Sequence, residues 1–144
     1  MTKRILAFLL LCLLVSAAAA EGRPGNGQQA LSLGGTGYCL SIPGGWRSAP
    51  PDSGFSWAYQ AANGEKVNVA VVSRTLEEVW AEAGDASDGY FGGYYWILYR
   101  RAGRTVCCTQ LTGSACVTVA FSRSDPRVDS TNSAILSSLS RSME

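Results

Sequence analysis

Hydrophobic residues fall along this chain in two patterns, and each predicts a different kind of segment. An unbroken apolar run extends from Ile5 to Val15, whereas from Tyr38 onward apolar and polar residues alternate in short stretches. Tyr38, Leu40 and Ile42 alternate with Cys39 and Ser41, and Pro43-Gly44-Gly45 ends the stretch, which predicts a strand. Ala49-Pro50-Pro51-Asp52 reads as a loop. Phe55, Trp57 and Tyr59 alternate with small or polar residues and predict a second strand with an aromatic face. Asn63-Gly64 then signals a hairpin, because both residues tolerate positive φ. Lys66 to Ser73 is the expected partner strand, with Val67, Val69 and Val71 on one face.

The period changes after Ser73. Thr75 with Glu78 three residues later is a capping box, and Leu76, Val79, Trp80 and Ala83 form one apolar stripe at helical spacing. Gly84 stops that helix. Glu78 and Glu82 share another face and read as its solvated edge rather than as an acid–base pair. Asp85 to Gly93 reads as a loop, and its acids lack the spacing of a calcium-binding loop. Tyr94 to Arg101 predicts a strand and Ala102-Gly103 a turn. Thr105 to Gln110 and Ser114 to Arg123 predict two more strands. Ile135, Leu136 and Leu139 mark a closing helix capped by Asp129 or Ser130. Strands, helix, strands and helix in that order define an α+β class, with a central antiparallel sheet of about six strands flanked by helices.

The first twenty residues have the three parts of a secretory signal peptide. Lys3 and Arg4 precede the apolar run, and Ala18, Ala19 and Ala20 offer a cleavage site before Glu21. The expected organisation is a signal peptide at 1–20, a flexible leader at 21–37 and one α+β domain at 38–144, secreted or periplasmic. Cleavage discards Cys12. It also removes Lys3 and Arg4, leaving acids and bases nearly balanced, so there is no basic footprint for nucleic acid. No second apolar run is long enough to span a bilayer.

Four cysteines remain, Cys39, Cys107, Cys108 and Cys116, and an even number in an exported chain reads as two disulfides. Spacing of the C-x-x-C kind, which a zinc site would use, is absent. A three-residue loop at Leu111-Thr112-Gly113 would set Cys108 opposite Cys116. Cys107, on the other face, would be left for Cys39. A two-residue turn would shift that register, and a strained bond between neighbouring Cys107 and Cys108 is the remaining alternative with a functional flavour.

Candidate chemistry is sparse. The chain has no histidine, which removes the commonest general base and metal ligand together. No G-x-S-x-G elbow is present, and no serine stands in a Ser-x-x-Lys arrangement with Lys66. Neither a catalytic constellation, a cofactor site nor a metal site is expected. The most unusual stretch is Tyr90-Phe91-Gly92-Gly93-Tyr94-Tyr95-Trp96-Ile97-Leu98-Tyr99. Alternation would put Tyr94, Trp96 and Leu98 on one face and Tyr95, Ile97 and Tyr99 on the other, and such aromatics serve either as core or as a contact surface. The candidate interaction residues are Tyr90, Phe91, Tyr95, Trp96, Arg100 and Arg101, the arginines being able to receive an acidic partner.

The entry Tyr38-Cys39-Leu40-Ser41-Ile42-Pro43-Gly44-Gly45-Trp46 resembles the opening strand of PsbP-like domains, a family that includes DcrB-like envelope proteins. The hairpin at Asn63-Gly64, the helix from Thr75 and the closing helix at Ile135-Leu136 keep that family's element order, from Tyr38 to Ser142. The resemblance implies a central antiparallel sheet flanked by helices and a non-catalytic binding or assembly role. It carries no catalytic motif, and the cysteines match no pattern within it. The expected function is a binding or assembly module whose partner is another envelope or secreted protein. Two alternatives are an inhibitor or immunity-type protein with a protruding loop at Pro43 to Gly54, and a small-ligand carrier with an aromatic-lined pocket.

Overall fold

The structure is a computed structural model that describes residues 28–141. The expected signal peptide and the leader as far as residue 27 lie outside the described residues. The described residues divide into two compact units, 28–47 with 138–141, and Ser48–Ser137.

In the first unit β1 (Gln28–Ser32), β2 (Tyr38–Pro43) and β10 (Ser140–Arg141) form a three-stranded sheet with β2 in the middle. Both pairings are antiparallel. β2 is the strand expected from its alternation, but Gln28–Ser32 corrects the reading of 21–37 as a flexible leader throughout. Leu31 sits opposite Leu40 and both are buried, as are Leu33 and Ile42. Burying side chains of this size stabilises by roughly 1.5–3 kcal/mol each. Gln29 faces Ile42 and donates from Nε2 to the carbonyls of Pro43 (3.0 Å) and Trp46 (2.7 Å). The hairpin closes through Gly37 at φ +84°, with Leu33 N–H donating to Tyr38 O at 2.9 Å. Ser138 Oγ accepts from Ser41 N–H at 2.8 Å, where β10 leads in to pair with β2.

The second unit is built on a seven-stranded antiparallel sheet of order β3-β4-β5-β9-β8-β7-β6. Its strands are β3 (Arg47–Ser48), β4 (Trp57–Gln60), β5 (Lys66–Val72), β6 (Ala86–Phe91), β7 (Tyr94–Arg101), β8 (Arg104–Thr112) and β9 (Ala115–Phe121). Two helices, α1 (Leu76–Ala83) and α2 (Ser130–Ser137), complete it. Register places Val67, Val69 and Val71 beside Phe121, Val119 and Val117 on one face, continued by Thr105, Cys107 and Thr109. On the other face Val79 of α1 packs with Val106, Cys108 and Ala120, joined by half-buried Phe55, Leu76 and Tyr99.

α1 begins as expected. Thr75 Oγ1 accepts from Glu78 N–H (3.2 Å), Glu78 Oε1 accepts from Thr75 N–H (2.9 Å), and Gly84 ends the helix at φ +73°. Such caps contribute about 1 kcal/mol. The expected apolar stripe is only partly buried, for Val79 is covered while Trp80 is 45% exposed. Asp129 caps α2, accepting at Oδ1 from Asn132 N–H at 2.9 Å. Leu139 lies beyond that helix, in the lead to β10.

The turns carry the larger surprises. Ala86–Phe91, expected to be a loop, is a strand paired throughout with β7, from Ala86 opposite Tyr99 to Phe91 opposite Tyr94. Its turn uses Gly92 (φ +62°) and Gly93 (φ +87°), a left-handed pair suited to a two-residue hairpin. At Asn63-Gly64 only the glycine has positive φ, because the connection is a longer loop that closes Ala61 N–H onto Glu65 O at 2.8 Å. Glu65 itself is buried. Its carboxylate accepts from Arg123 N–H (3.3 Å), Ser124 N–H (3.2 Å) and Asn132 Nδ2 (3.4 Å), tying this loop to the end of β9 and to α2.

Cys107, Cys108 and Cys116 are free, buried thiols, so neither expected disulfide, Cys108–Cys116 or Cys39–Cys107, is formed. The cause is a register shift. The β8–β9 turn is the two residues Gly113-Ser114, Thr112 faces Ala115, and an irregularity between Gln110 and Thr112 leaves Leu111 as an extra residue. Cys116 therefore lies opposite Gln110, and Cys108 opposite Thr118, with Sγ and Oγ1 3.5 Å apart. Cys116 Sγ donates instead to Arg74 O at 3.1 Å.

Candidate functional site

The six candidate residues lie on neighbouring strands, but strand parity divides them. Tyr90 of β6 is directly opposite Tyr95 of β7, and Arg101 shares their face two pleats on from Ile97. Phe91, Trp96 and Arg100 point to the other face. They do not form one surface.

Trp96 is fully buried and its indole N–H has no hydrogen-bond partner. An unmet buried donor costs about 1–3 kcal/mol, so this side chain is core and not contact surface. Ile97 and Leu98 are buried too, which closes both faces of the middle of β7. Arg100 folds back over its own hairpin, donating to Thr105 Oγ1 (2.7 Å) and Gly103 O (3.2 Å). Arg101 lies over the Tyr99 ring, 5.2 Å from its centroid. Both arginines remain exposed, and these contacts are made within their own hairpin.

What remains at the surface is an aromatic pair with an acid. Tyr90 is 75% exposed and Tyr95 36%, their rings 5.5 Å apart and tilted by 55°. Tyr95 Oη donates to Asp88 Oδ2 at 2.8 Å. That hydrogen bond pushes the Tyr95 phenol above its usual range, so at neutral pH it stays protonated and holds the carboxylate in place. The register across β6 and β7 puts both rings on one pleat, where directly opposite aromatic side chains support each other. From the sequence, Asp88 reads only as a loop acid. The signal that could have placed it is its spacing of two from Tyr90, which sets both on one side once 86–91 is a strand.

Two other polar clusters are part of the scaffold. Asp52 accepts from Lys66 Nζ (3.0 Å), Arg104 Nη1 (3.0 Å) and Asn68 Nδ2 (3.1 Å), and its own N–H donates to Asn68 Oδ1 at 2.8 Å. The Lys66 hydrogen bond, aided by Arg104, holds its carboxyl below the usual range. Arg74 pairs with Glu82 at 2.6 Å beside a shallow, open pocket lined also by Ser73, Glu78 and Ala81. No helix among the described residues is long and apolar enough to cross a membrane.

No protein-family model and no curated protein matches the sequence. The architecture does have solved counterparts, and it is a PsbP-like α+β fold. The solution structure of cyanobacterial PsbP (CyanoP) from Synechocystis sp. PCC 6803 superposes with a TM-score of 0.54 at 18% identity, covering 87% of this chain and 98% of that one. A crystal structure from Bacteroides thetaiotaomicron VPI-5482 gives 0.55 at 12% identity over 75% of this chain. This chain spans only 46% of that protein's length. At such identities the likeness establishes the fold, the α+β architecture expected from the opening motif at Tyr38–Trp46 together with the order of hairpin and helices.

Proposed function

We propose that this is an exported, non-catalytic protein-binding or assembly module that engages its partner through the β6–β7 edge. The observation that carries this reading is Tyr90, a large aromatic held three-quarters in solvent by its pairing with Tyr95. Tyrosine in such a setting supplies contact area at low entropic cost, which is why it recurs at protein interfaces. The PsbP-like fold supports the reading by analogy of architecture alone.

The test is crosslinking from position 90 in the native envelope, followed by identification of the joined peptide. A discrete partner that is lost in Tyr90→Ala and Tyr95→Ala, while both variants keep the wild-type unfolding midpoint, supports the proposal. A partner retained by both variants and crosslinked elsewhere overturns it. Trp96 is unsuitable for this purpose because its loss would open the core. The inhibitor reading has less support, since Asp52 ties its part of the loop down on Lys66, Asn68 and Arg104.

A further inference from the structure

Among the described residues β6 is the last strand of the seven-stranded sheet, so about half of its N–H and C=O groups point away from β7. Natural edges are commonly blunted by brevity, proline or lysine. This one is six residues long, Ala-Ser-Asp-Gly-Tyr-Phe, and has neither proline nor lysine; its single charge is Asp88.

The stretch of chain that forms and precedes that edge carries charge of one sign. From Thr75 to Tyr95 the chain contains Glu77, Glu78, Glu82, Asp85 and Asp88 and no lysine or arginine. α1, which bears the three glutamates, packs through Val79 on the sheet face that also presents Asp88, Tyr90 and Tyr95. The nearest cations already have partners. Arg74 is paired with Glu82 at 2.6 Å and Arg101 lies over Tyr99. Arg127, which donates to Ser87 on the opposite face at 2.5 Å, is paired with Asp125 at 2.6 Å.

We infer that β6 accepts a basic, extended segment of a partner protein as an added strand, with a lysine or arginine seated against the Tyr90 ring and the Asp88 carboxylate. Strand addition draws affinity from main-chain hydrogen bonds, and alternate side chains give specificity. A cation over tyrosine beside a carboxylate is held by the ring quadrupole and by charge together. A second copy fits worse, because β6 has Asp88 as its single charge, and β6 against β6 would bring two such carboxylates together with no basic residue of β6 to meet them. The inference rests on the protein-binding reading above and names the partner's chemistry.

The experiment titrates the isotope-labelled protein with a short peptide of alternating lysine and valine, and with the same peptide carrying glutamate for lysine. Amide shifts should concentrate at Ser87–Phe91, and the lysine peptide should bind about tenfold more tightly at low salt, the advantage shrinking as salt screens it. Asp88→Asn should remove most of that preference, and Tyr90→Ala should weaken the lysine peptide by roughly three- to tenfold. Peptide methylated on the backbone nitrogens that would pair with β6 should not bind. Equal binding of both peptides, or shifts centred away from β6, overturns the inference. So does a dimer in sedimentation that Tyr90→Ala dissolves, which would make a second copy the occupant. If the peptides fail while crosslinking from position 90 still finds a discrete partner, only the basic-strand inference falls. If both fail, the binding reading falls with it.

Discussion

Blocking the three buried thiols with iodoacetamide gives the sharpest check on the register of β8 and β9. Only the thiolate reacts, and burial pushes the Cys116 thiol up to about 11. Against an ordinary value near 8.5, that leaves roughly two-hundredfold less thiolate at about pH 8. Cys107 and Cys108 are raised as well, chiefly by burial. Reagent access imposes a second factor, since all three side chains have almost no exposure and need the sheet to open before they react. An opening free energy of even about 4 kcal/mol lowers the reactive population about a thousandfold. The two factors are not simply multiplied, because the open state titrates normally. Protection by opening alone sets the expectation, which is labelling about a thousandfold slower than a free cysteine at the same pH.

The assay is intact mass with peptide mapping, without reductant, before and after unfolding in guanidinium. The folded protein should gain almost nothing, and the unfolded protein should gain a label at each of Cys107, Cys108 and Cys116. Missing labels at Cys108 and Cys116 together would mean they are bonded, refuting the Gln110–Cys116 register and restoring the three-residue loop. Rapid labelling of the folded protein would refute the packing instead. Alkali offers a matching test through stability. A thiol whose pKa is raised by folding favours the fold below its unfolded value near 8.5 and ceases to do so as pH rises through its folded one. The urea midpoint should therefore fall as pH climbs from about 8.5 towards 11, and replacing Cys116 with alanine should flatten part of that fall.

Gly92→Ala should destabilise the second unit by about 2 kcal/mol or more, because alanine is strained at positive φ and its Cβ would sit against backbone. The Ser137 carbonyl oxygen would lie 2.3 Å from it, so urea denaturation should show a lower midpoint with unchanged slope. Ala102→Asn should act in the opposite sense, since Ala102 already holds φ +53° before Gly103 at +78° and Asn-Gly suits such a turn better. A gain of about 0.5–1 kcal/mol in the same assay is expected, and a loss would show that the turn differs. Asp52 and Asp125 have carboxyls held low, by Lys66 and Arg127 respectively. Their contribution is present above the ordinary value near 4 and is lost as pH falls through the depressed ones. Asp52→Asn should reduce the acid sensitivity of the unfolding midpoint, the more clearly at low salt.

Local chemistry makes some elements legible in the sequence itself. The capping box of Thr75 and Glu78 has one geometric meaning, and the valine alternation of β5 has one sensible face. β1 and β6 were hidden for a shared reason. Gln28–Ser32 has one buried side chain and Ala86–Phe91 has none, so neither has an apolar period to read. Each exists because its neighbour, β2 or β7, offers a ladder of unpaired backbone groups, which is information held elsewhere in the chain. The cysteine pairing failed through one residue. The sequence places Leu111 in the turn, but it is the extra residue of an irregular strand, and a shift of one moves every later partner. Buried Glu65 was equally silent, because its partners are two backbone amides and Asn132, fifty-eight or more positions away.

That same split between locally and distantly encoded structure bears on where a partner would bind. With Trp96, Ile97 and Leu98 all buried, the middle of β7 has no free face to offer. On the proposed reading, recognition would then fall to the sheet's edges, where backbone groups and edge side chains remain. The two edges differ. β3 has two residues, and the segment leading from it into β4 is tied down by Asp52. β6 has six residues and presents Tyr90 beside Asp88. The weakness of the β6 sequence as a strand and its fitness as a docking edge have one origin, for a segment stabilised by pairing on one side alone keeps half of its backbone available for another chain.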